Sequence, residues 1–153
     1  MLSLTKKTDY ALISLGFLAE NHGRVVSARE ISHAFSMPDA LVMNILKTLH
    51  HHDWLRSTRG TKGGYQLAIK LGERTVLDLI EALEGPVSLT ECMIRKGEEC
   101  RKSRCRIHRP CPIEAPIKAL HNKLVHFLKE TPLSDVVVSD RKDEKAGRAS
   151  TAR

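Results

Sequence analysis

The sequence predicts a mainly α fold with one small β-hairpin, and three observations carry that expectation. Apolar residues recur at helical spacing in three short stretches before residue 85. A glycine-rich basic centre, Arg59–Gly60–Thr61–Lys62–Gly63–Gly64, lies between two strand-like runs. A longer apolar seam of Ile113, Ile117, Leu120, Leu124 and Phe127 then steps by four, three, four and three residues, and Thr131–Pro132 ends it.

Taken in order, TDYALISLGFLAEN predicts a first helix with Tyr10, Ile13 and Phe17 on one face, closed by Asn21, His22 and Gly23. Three stretches then show a hydroxyl followed three residues later by a carboxylate: Ser27 to Glu30, Ser36 to Asp39 and Thr75 to Asp78. That pattern satisfies orphan N–H groups at a helix start, so helices are expected over about 28–35, 38–50 and 76–84. Pro38 suits a first helical turn. The third helix aligns Val42, Ile45, Leu46 and Leu49 as a buried stripe and leaves Asn44, Lys47, Thr48 and His51 to face outward. Trp54–Thr58 and Tyr65–Ile69 form the predicted hairpin, with Gly63 and Gly64 serving its turn. The fourth helix buries Val76, Leu79, Ile80 and Leu83 before Gly85–Pro86 stops it.

Three helices followed by a basic hairpin is the order of a winged helix-turn-helix. The expected organisation is a winged DNA-binding domain over 1–86, a cysteine-rich loop over 87–112, and a dimerisation helix with its C-terminal segment over 113–138. The seam on that helix would meet a second copy of the chain; the alternative is packing on the chain's own first helix. Residues 139–153, SDRKDEKAGRASTAR, are polar enough to be expected disordered.

Charge and composition narrow the function. The net charge is +7, but residues 1–90 hold 10 basic and 9 acidic side chains, whereas residues 91–111 hold 7 and 3. The excess favours a polyanionic partner without by itself locating a DNA-binding face. No run is apolar enough to span a membrane and the start lacks a signal-peptide core, so a cytoplasmic protein with reduced thiols is expected. No nucleophile with a placed base can be read, which argues against an enzyme.

All four cysteines fall in CMIRKGEECRKSRCRIHRPCP, residues 92–112, with C-x7-C-x4-C-x5-C spacing. Zinc sites usually pair thiols in C-x2-4-C knuckles, and a redox pair needs C-x-x-C; neither is present. Iron–sulfur centres accept wider, irregular spacing, and the surrounding cations would stabilise thiolates. An iron–sulfur cluster is therefore favoured, with zinc, a metal-free redox sensor and inert cysteines as alternatives.

These pieces together resemble the Rrf2 family of bacterial transcription regulators over roughly residues 1–138. The resemblance is carried by LTKKTDYAL, the REI of helix two, LRSTRGTKGGYQLA as the wing, EALEGPVSLTEC, the cysteine loop and the long C-terminal helix. MPDALVMNILKTLHHHDWLRSTRG looks most similar to regulators of iron–sulfur assembly genes. The resemblance implies a homodimer that crosses its long helices and holds a [2Fe–2S] or [4Fe–4S] cluster controlling operator binding. It implies Cys92, Cys100 and Cys105 as cluster ligands and offers His108 or Asp9 as the fourth, while this chain's own Cys111 is a further candidate. The chain departs from the family pattern at Cys111–Pro112, where a tryptophan often opens the long helix, and in the unequal spacing of its first cysteines.

In such a regulator, Asn44 and Lys47 of helix three would enter the major groove. Thr58, Arg59, Lys62 and Gly63 of the wing would engage the phosphate backbone or a narrow minor groove. Ser27 and Arg29, opening helix two, would clamp the backbone. Tyr10 and Trp54 are expected as core anchors, His50, His51 and His52 as structural or solvated residues of a helix end, and Asp9 equally as a first-turn acid. The rival function is an iron–sulfur (or zinc) carrier or redox protein that uses the winged helix as a protein-docking module.

Overall fold

The computed structural model describes residues 4–90 and 111–137. Its elements are α1 (Lys6–Glu20), α2 (Ala28–Ala34), α3 (Asp39–His51), β1 (Leu55–Thr58), β2 (Gly64–Leu67), a 3-10 turn (Leu71–Glu73), α4 (Val76–Glu84), α5 (Glu114–Glu130) and α6 (Leu133–Val137). The mainly α fold with one antiparallel hairpin is the expected one. The anticipated tail, residues 139–153, lies outside the described residues.

The stripe of α3 organises the core. Val42, Ile45, Leu46 and Leu49 are all fully buried, and α1, α2 and α4 pack against this helix. Truncating one of them, such as Leu46→Ala, would leave a cavity and cost about 2–5 kcal/mol. Trp54 is buried beside β1, and the Arg74 guanidinium lies over its ring at 5.6 Å from the centroid.

Two helix starts behave as the sequence predicts. Ser27 accepts from the Glu30 N–H at 3.1 Å, and Thr75 and Asp78 form a reciprocal capping box. The third does not. Pro38 is the N-cap of α3 and Ser36 makes no cap, because Ser36 occupies the left-handed region (φ 52°) just past α2. There it closes that helix: the Met37 N–H donates to the Ser32 carbonyl at 2.8 Å and the Ser36 N–H to that of His33 at 3.5 Å. The Asp39 carboxylate instead accepts from the buried Ser32 hydroxyl.

The face of α1 is also corrected. Ala11, Leu15 and Leu18 are its buried apolar residues, whereas Tyr10 and Phe17 are half-buried and Ile13 is 36% exposed. Apolar side chains surround this helix, so periodicity alone could not select the inward side. In α4, Leu77 is buried where Ile80 was expected, and Ile80 is only half-buried.

The chain does not stop structurally at Pro132. Val76 N–H donates to Thr131 O (2.9 Å) and Leu133 N–H to Arg74 O (2.8 Å), pinning the end of α5 to the start of α4. Leu133 is fully buried, and α6 packs against α1 and the 3-10 turn. α5 packs on α4, not on the first helix considered from the sequence. Ile117 and Leu124 are half-buried, while Ile113 (58%), Leu120 (54%) and Phe127 (65%) remain exposed.

Candidate nucleic-acid interface and cysteine segment

The hairpin is anchored to the helical body by a third piece of extended backbone. β1 and β2 pair from Leu55 opposite Leu67 to Thr58 opposite Gly64, and Tyr65 also exchanges backbone hydrogen bonds with Val26. Gly64 permits this approach, since a Cβ there would lie 2.3 Å from the Val26 carbonyl oxygen. A Cβ at Gly63 would meet the Thr58 carbonyl oxygen at the same distance. Both glycines therefore answer to contacts within the chain.

His50 links α3 to this wing. Its Nδ1 lies 2.8 Å from the Leu55 carbonyl, which fixes Nδ1–H as the donor. The opposite nitrogen, Nε2, then accepts from the Ser57 hydroxyl at 3.1 Å when the ring is neutral. The Tyr65 ring meets His50 edge-on, with centroids 6.4 Å apart. His50 is structural, as expected, and His51 and His52 are exposed.

This scaffold presents an exposed polar surface. Asn44 and Lys47 project from α3, Arg29 from the first turn of α2, and Thr58, Arg59 and Lys62 from the wing. None of these cations joins an ion pair among the described residues. Ser27 is half-buried, its oxygen engaged by the α2 cap, and Gly63 is half-buried in the turn. Sequence reasoning passed over Arg56, exposed on β1, and Ala40 and Met43, exposed on α3. Arg56 could have been found from its place in the basic hairpin. Met43 is apolar, and periodicity assigns such residues to a core by default.

Arg24 and Glu30 form the short polar contact behind α2, with the guanidinium Nη2 2.5 Å from Oε1. That hydrogen bond holds the Glu30 carboxyl below its ordinary range and raises Arg24; slight desolvation opposes both shifts.

Of the thiols, only Cys111 is described. It is half-buried and free just before α5, while Asp9 is exposed in the first turn of α1. Cys92, Cys100, Cys105 and His108 lie outside the described residues. Among the described residues no group of three or more histidines, cysteines or carboxylates is gathered to hold a metal. The start of α1 is nevertheless tied to the end of α4, where the cysteine segment departs. Lys7 Nζ donates to the Leu83 carbonyl at 2.5 Å, and Thr5 and Thr8 donate to the Glu84 carboxylate. These partners are more than 70 residues apart in sequence, so no local pattern announces them.

No helix among the described residues is long and apolar enough to cross a membrane. The family model described as Rrf2, an iron-dependent transcriptional regulator, matches residues 4–139. The chain is 30% identical over 130 residues to the HTH-type transcriptional regulator NsrR of Geobacillus kaustophilus, spanning 84% of this chain and 82% of that protein. It is 26% identical over 160 aligned positions to the HTH-type transcriptional regulator IscR of Cronobacter sakazakii, spanning 99% and 94%. Among solved structures, CymR (YrzC), the global cysteine regulator of B. subtilis, superposes with a TM-score of 0.65 at 27% identity over 90% of this chain and 97% of that one. The winged architecture and the family agree on a DNA-binding regulator rather than an enzyme. The chain belongs to the Rrf2 family of transcriptional regulators.

Proposed function

We propose that the protein is a cytoplasmic, homodimeric operator-binding regulator whose DNA affinity is set by an iron–sulfur cluster in its cysteine segment. In this reading residues 1–86 bind DNA, 87–112 hold the cluster and 113–138 carry the dimer contact, with a polar tail beyond. The observation that carries it is the position of the thiols. All four lie between the end of α4, the last helix of the winged module, and the start of α5, the helix with the exposed apolar stripe.

The donor chemistry fits a cluster. Cys111 is free and only half-buried, hence open to coordination, and thiolates are the natural ligands of iron–sulfur centres. Cys92, Cys100 and Cys105 would be ligands, with the fourth from Cys111, His108 or Asp9 of the partner subunit. A bound cluster would supply iron–thiolate bonds sensitive to iron supply, oxidants and nitric oxide. The family description, which names iron dependence, supports iron over zinc. The chain's own part is mechanical. The Lys7, Thr5 and Thr8 hydrogen bonds hold the end of α4, just ahead of the segment, to α1, and α1 packs on α3, the helix proposed to read DNA. A coupling of about 1–3 kcal/mol between the segment and α3 would change operator affinity several-fold to a hundredfold. Asn44 and Lys47 would meet the major groove, Thr58, Arg59, Lys62 and Gly63 the flanking backbone, and Ser27 and Arg29 the phosphates beside α2.

The cysteine spacing also leaves open a metal-free redox sensor, in which the thiols act without metal. Anaerobically purified protein assayed for iron, sulfide and zinc separates the two. Iron with stoichiometric sulfide, and joint loss of chromophore and altered DNA affinity in Cys92→Ala, Cys100→Ala and Cys105→Ala, is the expected result. Zinc without sulfide, or no metal, overturns the cluster. Cluster transfer to an apo-acceptor with no operator preference would indicate a carrier.

A further inference from the structure

We propose that Met43 is a specificity-determining residue of the recognition helix that reads thymine methyl groups, with Tyr65 as its positioning residue. The inference rests on the operator-binding reading and adds the identity of a base contact. Met43 is the fifth residue of α3, and its neighbours in sequence and along the helix divide cleanly. Val42, Ile45 and Leu46 are fully buried, whereas Met43 is 38% exposed between exposed Ala40, Asn44 and Lys47. Ala40 and Met43 stand three residues apart and so share a helical face. They form an apolar patch in the N-terminal half of the helix, the part that contacts base edges in helix-turn-helix docking. In the major groove the one apolar group that distinguishes a base pair is the C5-methyl of thymine.

A single exposed apolar side chain is unremarkable by itself. Met43 differs because a side chain of the wing contacts it. The Tyr65 hydroxyl donates to its Sδ at 4.0 Å, reaching from β2 of the wing to α3. Tyr65 is itself fixed through its backbone pairing with Val26 and the edge contact of its ring on His50. His50 is held in turn by the Leu55 carbonyl and the Ser57 hydroxyl. A flexible thioether would otherwise sample several rotamers at a loss of entropy on binding. The hydroxyl contact restrains it on a helix that also exposes Asn44, whose amide suits adenine N6 and N7. The pair would therefore favour an A·T step.

Operators selected from random duplex DNA with the full-length protein, then resynthesised with deoxyuridine replacing each thymine in turn, test this. Deoxyuridine removes only the methyl group. The expected result is a loss of about fourfold at one or two thymines per half-site, the worth of one buried methyl. Met43→Ala, at an exposed position that leaves the core intact, should bind the parent operator about as weakly as the wild type binds the deoxyuridine form, and lose the penalty. Tyr65→Phe should diminish the penalty while leaving the salt dependence of binding unchanged. Sequence-selective binding with no methyl penalty, or a penalty that survives in Met43→Ala, overturns the inference and leaves operator binding standing. No enriched sequence at all overturns the operator reading itself.

Discussion

Val26 and Tyr65 exchange backbone hydrogen bonds of 3.0 and 2.8 Å, stitching the segment before α2 to the inner strand of the wing. The wing's attitude toward the helices therefore depends on a close backbone approach. Gly64→Ala would insert a Cβ into the Val26 backbone, where no flexible side chain can yield. We expect a destabilisation of about 1–3 kcal/mol, measurable as a lower denaturant midpoint. An unchanged midpoint would mean that the wing is not held at this contact.

Arg59 and Lys62 are exposed at the wing tip and engaged in no ion pair among the described residues. Arg59→Ala and Lys62→Ala should weaken binding to every sequence and lower the slope of log affinity against log salt by about one unit each. Asn44→Ala should instead narrow the preference for operator over random DNA. Wing variants that titrate DNA like the parent at several salt concentrations would sink the docking geometry.

Leu120 and Phe127 remain exposed although α5 packs on α4, so their replacement tests association with little effect on the fold. The double variant Leu120→Lys, Phe127→Lys would bring like charges into the proposed subunit contact, at a cost of several kcal/mol before relaxation. Light scattering should report a monomer mass with an unchanged helical circular dichroism spectrum. A persistent dimer would relocate the interface.

The Glu30 carboxyl is lowered by its hydrogen bond to Arg24. A group with a depressed folded pKa contributes stability that is fully present above the unfolded value and is lost as pH falls through the folded one. Melting temperature should thus decline on the acid side of the ordinary carboxylate range, and Glu30→Gln should flatten part of that decline. The contact is substantially exposed, so salt should shrink the difference.

The legible parts of the site are those encoded locally. Asn44, Lys47, Arg59 and Lys62 could be named because a buried stripe at helical spacing dictates the opposite, outward face, and a glycine-rich centre dictates a hairpin tip. The exposure of Met43 escaped because periodicity assigns an apolar residue of this helix to the core by default. Ser36 misled because one residue satisfied two local patterns, and the close of α2 won over the start of α3.

The sequence by itself determined the element order, the core stripe of α3, the capping of α2 and α4, and the confinement of every thiol to one segment. Each follows from interactions within a few residues: side-chain periodicity, a cap's reach to the third N–H, or simple adjacency. Only the tertiary structure decided which face of α1 turns inward, that α5 packs on α4, that α6 folds back through Leu133, and that Lys7 is bound to Leu83. Those outcomes depend on competition among apolar surfaces and on partners tens of residues apart. In α1, apolar side chains on all sides leave local sequence nothing with which to choose, and the shape of the neighbouring helices makes the choice instead.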